Sequence, residues 1–272
     1  MTLLDTPRTP LPPPRPRLAG GLRELALVAL LYVGYSASRL VADDAPGPAV
    51  ARAMDLVAVE QVLGIAWEGP LTALFVDVGL LGLLASFQYA TAHYVVTAGV
   101  LLWLHRRGPA AYLPARRALV LATVAGLVVY LLVPMAPPRL TPGWSVDVLQ
   151  LHASAGWWGA EASAPRGLGG LTNQLAAFPS LHAGWALWVA LAVRATTTSR
   201  VARSLGWAHA AVTAVVVVGT GNHWVLDVVA GWLVVLLGYA VAGWRAGDLG
   251  VNSPPGVPRG RHAGGRASLP RP

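Results

Sequence analysis

Long apolar runs, separated by short Arg clusters, dominate the chain. The first extends from Leu22 to Val41, about the length that crosses a bilayer. Others cover Arg117 to Met135, Leu181 to Val193, Ser204 to Val218 and Trp224 to Trp244. Between Leu71 and Leu104 the chain is almost continuously apolar. As one helix it would be about 50 Å long, more than a perpendicular crossing of a core about 30 Å thick needs. It is either one crossing with an interfacial lead-in or two short ones. From Asp43 to Glu68 the pattern is mixed: Met54, Leu56, Val57, Val62, Leu63 and Ile65 are interspersed with Asp55, Glu60 and Gln61. That reads as an amphipathic helix lying at the interface.

Parity decides between the two readings of 71–104. With one crossing there, six helices span the membrane and both termini share a side. Sixteen Arg then lie on that side, and only Arg39, Arg52, Arg139 and Arg166 on the other, a strong positive-inside bias. Two crossings would place the first Arg cluster opposite the rest. The expected fold is therefore all-α: a polytopic, multi-pass protein of the cell membrane with about six transmembrane helices. An interfacial amphipathic helix, a long outer loop and cytosolic termini complete it. Residues 1–20 and 246–272, rich in Pro, Gly and Arg, read as disordered cytosolic tails around a membrane-embedded domain at 21–245. The first run is long for a signal-peptide core, so it reads as a retained signal anchor despite the small Ser36-Ala37-Ser38. The outer loop, Ala136 to Pro179, carries Trp144, Trp157 and Trp158, which suit an interfacial cap.

Composition agrees. Hydrophobic residues make up 55% of the 272 and charged residues 12%, about half the usual charged share. That leaves too little polar surface for a soluble sphere. The net charge is +8 and every basic residue is Arg. These Arg sit between apolar runs, without a patch of interleaved aromatics, which argues against nucleic acid as a partner. Without Cys there is no disulfide, thiol nucleophile or Cys-ligated metal.

Three short signatures fall at the outer ends of three helices. They are Ala136-Pro137-Pro138-Arg139, then Phe178-Pro179-Ser180-Leu181-His182, then Gly219-Thr220-Gly221-Asn222-His223 followed by Asp227. The six-helix topology places all three on one membrane face, facing outward. His223 and Asp227 are four apart and share a helical face. A carboxylate there can accept the imidazole Nδ1–H and leave the Nε2 lone pair free. Pro179 before Ser180 suits a helix start, where unpaired N–H groups favour an anion. Arg139 offers a planar fork matched to phosphate oxygens. Asn222 is a phosphate contact or a helix N-cap. Together these residues make a phosphoryl-transfer site.

Those motifs resemble the type 2 phosphatidic acid phosphatase superfamily of membrane phosphoesterases, and within it most closely the inositol phosphorylceramide synthase-like branch. Pro179, Ser180 and His182 match the second motif, Pro-Ser-x-His; Leu181 replaces the more usual Gly, as is common in that branch. His223 and Asp227 match the third motif, His-x-x-x-Asp. Arg139 is mapped onto the Arg of the first. The resemblance covers roughly Tyr89 to Trp232. It implies that His223 attacks phosphorus to form a phosphohistidine, that Asp227 orients it, and that His182 protonates the leaving alkoxide. Arg139 and the backbone around Ser180 would hold the phosphate oxygens. It implies no metal and no other cofactor. Tyr89 and His93, a Tyr-x-x-x-His that recurs in the inositol-transferring branch, are possible pocket residues. The chain departs from the wider family in two places: it has no Lys for the first motif, and Val216 and Val217 stand where Ser-Arg precedes the nucleophilic His. Arg166 and Asn222 are candidates to replace the missing cations, and fewer cations suit a less charged substrate such as a diester.

The expected activity is phosphoryl or phosphodiester transfer on a lipid phosphate or phospholipid. Water as acceptor would make it a phosphatase; a polyol or lipid acceptor would make it a transferase. The alternative is a non-catalytic transporter or lipid-binding protein that uses His, Arg and Asp as a relay, which would call for matched halves or paired broken helices. Ser180 lacks a Gly-x-Ser-x-Gly elbow and does not read as a nucleophile.

Overall fold

The structure is a computed structural model and describes residues 46–159, 162–167 and 173–243, with isolated positions 26, 30 and 33. Apart from those three positions, the first expected span lies outside the described residues, as do both tails.

Nine helices and a hairpin follow one another along these residues. They are α1 (Pro46–Leu63), α2 (Glu68–Asp77), α3 (Gly79–Phe87), α4 (His93–Arg107), α5 (Pro109–Leu132) and the short α6 (Val148–Leu151). Then come the strands β1 (Trp158–Gly159) and β2 (Ala162–Pro165), and α7 (Leu181–Thr196), α8 (Arg200–Gly219) and α9 (Val225–Val241). A π-helical turn at Gln88–Ala92 joins α3 to α4 without a break. The fold is all-α apart from the antiparallel hairpin. The apolar segment 71–104 divides into α2 and the α3–α4 rod, which meet at 109°.

Among the described residues two helices, α5 and α8, are long and apolar enough to cross a membrane, and the bent α2–α4 unit makes a third if it counts as one span. Helices α7 and α9 span 16 and 17 residues. At 1.5 Å per residue these are about 25 Å long, shorter than a core of about 30 Å. Both stop where the motif-bearing segments around Ser180 and Trp224 begin. Large apolar side chains such as Leu205, Val212, Leu233 and Leu237 stand exposed on α8 and α9, as a lipid-facing surface requires.

Helix α7 is the hub. Ten of its sixteen residues are buried, among them Ala183, Gly184, Ala186 and Ala190. Small residues let neighbouring backbones approach closely. Trp188 seats its indole on α5, donating to the Ala115 carbonyl at 2.8 Å. At the end of the bundle away from the motifs, Arg107 and Arg203 donate to the carbonyls of Thr196 and Thr197, which suits cations at a helix C-terminus.

At the motif end α9 presses against the start of α7. A Cβ added at Gly231 would lie 2.1 Å from the Ser180 carbonyl oxygen. Because that neighbour is backbone, it cannot rotate away. Gly231→Ala is expected to cost about 1–3 kcal/mol through overpacking. It should lower the thermal unfolding midpoint in detergent and reduce any turnover, since it pushes Ser180 and His182 away from α9. A midpoint equal to that of the parent would contradict this packing.

Two expectations for the outer segments need correction. The helix at Asp43–Glu68 does not turn Glu60 to the polar side. Its buried face is Ala49, Ala53, Val57 and Glu60, while Val62 is 88% exposed. Trp158 is not an interfacial anchor. It is fully buried, donates to the Leu149 carbonyl at 2.9 Å and packs edge-on against Phe87. The outer loop folds back onto the bundle and carries that ring inside. Trp157 remains exposed and Trp144 lies edge-on to Trp224.

Candidate active site

Backbone hydrogen bonds tie the three signatures together before any side chain is considered. The Arg139 amide donates to the Gly221 carbonyl at 2.9 Å, and the Ser180 amide donates to the Asp227 carbonyl at 2.8 Å. Tyr130 anchors the second signature by donating its hydroxyl to the Pro179 carbonyl at 2.8 Å. Gly221 has a φ of +74°, a region that disfavours side chains. A Cβ there would also meet the Ser145 hydroxyl at 2.6 Å. The Thr220–Asn222 turn can therefore close only around this glycine.

That turn delivers His223 to the mouth of α9. The His223 Nδ1–H donates to the Ala177 carbonyl at 2.8 Å, and Asp227 Oδ2 stands 3.4 Å from the same nitrogen. The expectation of a carboxylate as the principal acceptor needs adjustment. The carbonyl makes the shorter contact, because the carboxylate is also engaged by the Trp224 amide at 2.8 Å as part of the helix cap. Either partner leaves the proton on Nδ1 and the lone pair on Nε2. Both residues are buried, Asp227 completely.

The second histidine, His182, sits one residue into α7. Its ring stacks on Tyr89 at 4.5 Å between centroids, meets His93 edge-on at 4.1 Å, and lies 5.7 Å from the ring of His223. Tyr89 lies in the π-helical turn and His93 is held by its own Nδ1, which donates to the Tyr89 carbonyl at 3.0 Å. Both suspected pocket residues thus border the second histidine directly. Ser180 is the N-cap of α7, its hydroxyl accepting from the Ala183 amide at 3.3 Å, a capping role.

Arg139 donates its Nε–H to Asn222 Oδ1 at 2.9 Å and faces Asp147 at 3.6 Å. Asn222 in turn donates to Thr220. It is not the cap of α9, whose N-cap is Trp224; it holds the guanidinium beside the His223 turn. Arg166 is placed elsewhere. It donates to the carbonyls of Ala153 and Gly156 at 2.9 and 2.7 Å and so fastens the outer loop to itself. Val216 and Val217 lie in an apolar cluster with Phe75 and Val228, where a charged side chain would be costly. Among the described residues no group of three or more His, Cys, Asp or Glu is placed to hold a metal ion.

Two residues of this region escaped sequence reasoning. Glu60 of α1 accepts from the Leu226 amide at 2.6 Å, and Glu68 of α2 accepts from the Val225 amide at 2.9 Å. Both are fully buried. They fill the unpaired N–H groups of the first turn of α9, next to the Trp224 amide that Asp227 takes. Their signal was only that ionisable residues near membrane depth are expensive; by pattern they belonged to the polar face of a surface helix.

No curated protein and no solved structure matches the chain. A family profile described as the PAP2 superfamily matches residues 54–241, from the middle of α1 to the end of α9. All three signatures and both buried glutamates fall inside that span, so this chain belongs to the PAP2 superfamily, a family of phosphatase-type enzymes that act on phosphate esters.

Proposed function

We propose that the protein is a multi-pass membrane enzyme that transfers a phosphoryl or phosphodiester group from a lipid phosphate through a phosphohistidine at His223. The observation that carries this reading is the placement of two imidazoles, 5.7 Å apart, at the adjoining N-termini of α7 and α9, with the Arg139 guanidinium held by Asn222 next to His223. One phosphoryl group can touch both rings at that separation.

The geometry divides the work as follows. His223 presents its Nε2 lone pair, since Nδ1 keeps its proton toward the Ala177 carbonyl. Attack forms an N–P bond and breaks the P–O bond to the leaving alkoxide. The ring becomes cationic, and Asp227 at 3.4 Å balances that charge. His182 gives its proton to the departing oxygen. It takes a proton back from water or an alcohol when that oxygen attacks the phosphohistidine and frees His223. Arg139, held in place by Asn222, meets the charge that builds on the equatorial oxygens. The N-terminus of α7 at Ser180 adds its backbone dipole. Tyr89 and His93 fix the His182 ring and shape the pocket around the leaving group.

The lipid assignment rests on the exposed apolar helices. The inositol phosphorylceramide synthase-like reading rests on the second and third motifs and on the two valines that replace a phosphate-binding cation. Six crossings, cytosolic termini and an outward site remain the topology that best suits the Arg distribution. A transporter built on inverted repeats would need a second broken helix to match the α2–α3 bend, and the described residues contain one such bend.

The test is purified protein incubated with labelled lipid monophosphates and phosphodiesters, with and without a polyol or lipid acceptor. Release of inorganic phosphate identifies a phosphatase; a new headgroup product identifies a transferase. No turnover of any lipid ester, together with turnover of a soluble phosphate ester, would overturn the lipid assignment.

A further inference from the structure

The N-terminus of α9 is held by carboxyl groups from three parts of the chain. Glu60, Glu68 and Asp227 each give one oxygen to a backbone amide, at Leu226, Val225 and Trp224. The other oxygens of Glu60 and Glu68 are buried and have no hydrogen-bond partner as carboxylates. The two carboxyls cap consecutive amides, Val225 and Leu226, and so lie beside one another. Two facing acceptors repel, whereas one proton placed between them satisfies both.

We infer that Glu60 and Glu68 share a single proton and act as positioning residues that hold the first turn of α9, and with it Asp227 and His223, in the geometry for attack. The inference rests on the proposed role of His223 for its link to turnover, but not for the proton itself.

The surroundings of Glu60 support this. Burial pushes its carboxyl up to about 8; the Leu226 amide pulls the other way, and Glu68 and Asp227 add to the rise. Among the described residues those two acids, from α2 and α9, are the titratable groups that act on it. The segments packed on α1 otherwise present Met135, Ala136, Ala177 and Trp224. On α1 itself Asp55 is exposed, and Arg52 donates to the Pro134 carbonyl instead. A neutral Glu60 also explains how a second fully buried acid can sit beside Glu68 without a cation. Glutamine is the informative replacement. Its amide oxygen can still accept from Leu226 and its amide hydrogen can replace the shared proton, but it cannot titrate.

Two measurements on the full chain in detergent test the pair. The first is thermal unfolding against pH. A carboxyl raised from 4.5 to about 8 in the fold gives full stability below the lower value, and this is lost as pH rises through the upper one. The parent melting point should fall across that window, and E60Q should flatten the fall. The second is kcat against pH on a phosphate ester. The parent should lose turnover above pH 8, as the shared proton leaves and the two carboxylates repel; E60Q should lack that limb. At neutral pH E60L should lose roughly tenfold or more in kcat with little change in KM, through displacement of His223, and E60Q should restore most of it. An E60Q protein that melts and titrates like the parent would overturn the shared proton. Full activity of E60L would overturn the positioning role. Should no ester be turned over at all, the melting curves still decide the proton, so failure of this inference and failure of the proposed activity are told apart.

Discussion

Replacing His223 with alanine is expected to lower turnover of every phosphate ester by about 10⁴-fold or more, the scale on which enzymes lose activity with their nucleophile. The geometry gives the reason. Nε2 of His223 is the lone pair that the fold prepares: Nδ1 is committed to the Ala177 carbonyl at 2.8 Å and Asp227 waits at 3.4 Å to balance the charge of a phosphorylated ring. Alanine removes the attacking atom and leaves the Ala177 carbonyl unpaired, which costs about 1–3 kcal/mol of stability. The variant should still insert and melt cooperatively, because the cap of α9 is made by Asp227, Glu60 and Glu68 and not by the imidazole. The decisive measurement is covalent labelling. Parent protein given a substrate labelled in the phosphoryl group and quenched in alkali should retain label stable to alkali and labile to acid, as a phosphoramidate is. The alanine variant should retain none. Equal labelling of both proteins would remove His223 from the mechanism.

His182→Asn should show a different signature. A general acid contributes about 10²- to 10⁴-fold to a step that expels a poor leaving group. An aryl phosphate with an acidic phenol needs no such help. The variant should therefore lose about 10²-fold or more on an alkyl or lipid ester, and far less on an aryl ester. Dephosphorylation needs the same residue as a base, so label from the aryl ester should accumulate on His223 in the variant. Asparagine keeps a flat polar group against Tyr89, whose ring now stacks on the imidazole at 4.5 Å, so the pocket should not collapse. Equal losses on both esters would mean that His182 holds the site's shape and moves no proton.

Much of this was legible in the chain because the relevant signals are local. Apolar runs bounded by Arg outline α5, α7, α8 and α9 to within a few residues at most ends, since lipid and buried packing both demand apolar side chains. The start of α5 is an exception: it begins at Pro109, because Pro at the first helical position is tolerated and extends the helix through Arg116 and Arg117. The spacing of four brings His223 and Asp227 together, although His223 lies in the turn before α9 and not on its face. What the chain hid was long-range. Glu60 resembles a surface residue until the N-terminus of α9, 166 positions away in sequence, is brought to it. Arg166 resembles a phosphate ligand until the loop carbonyls of Ala153 and Gly156 are seen to take its guanidinium. Trp158 resembles a membrane anchor until its loop turns inward.

By itself, then, the order of residues determined the helical class, the apolar character of the helices, the motif residues and their family, because hydropathy, helical periodicity and short motifs depend only on neighbours along the chain. Only the tertiary structure decided which group orients His223, what surrounds His182, and that two glutamates hold the reactive helix. Those outcomes depend on where unpaired backbone amides and carbonyls are buried, and an unpaired polar group selects its partner from whatever the fold brings near.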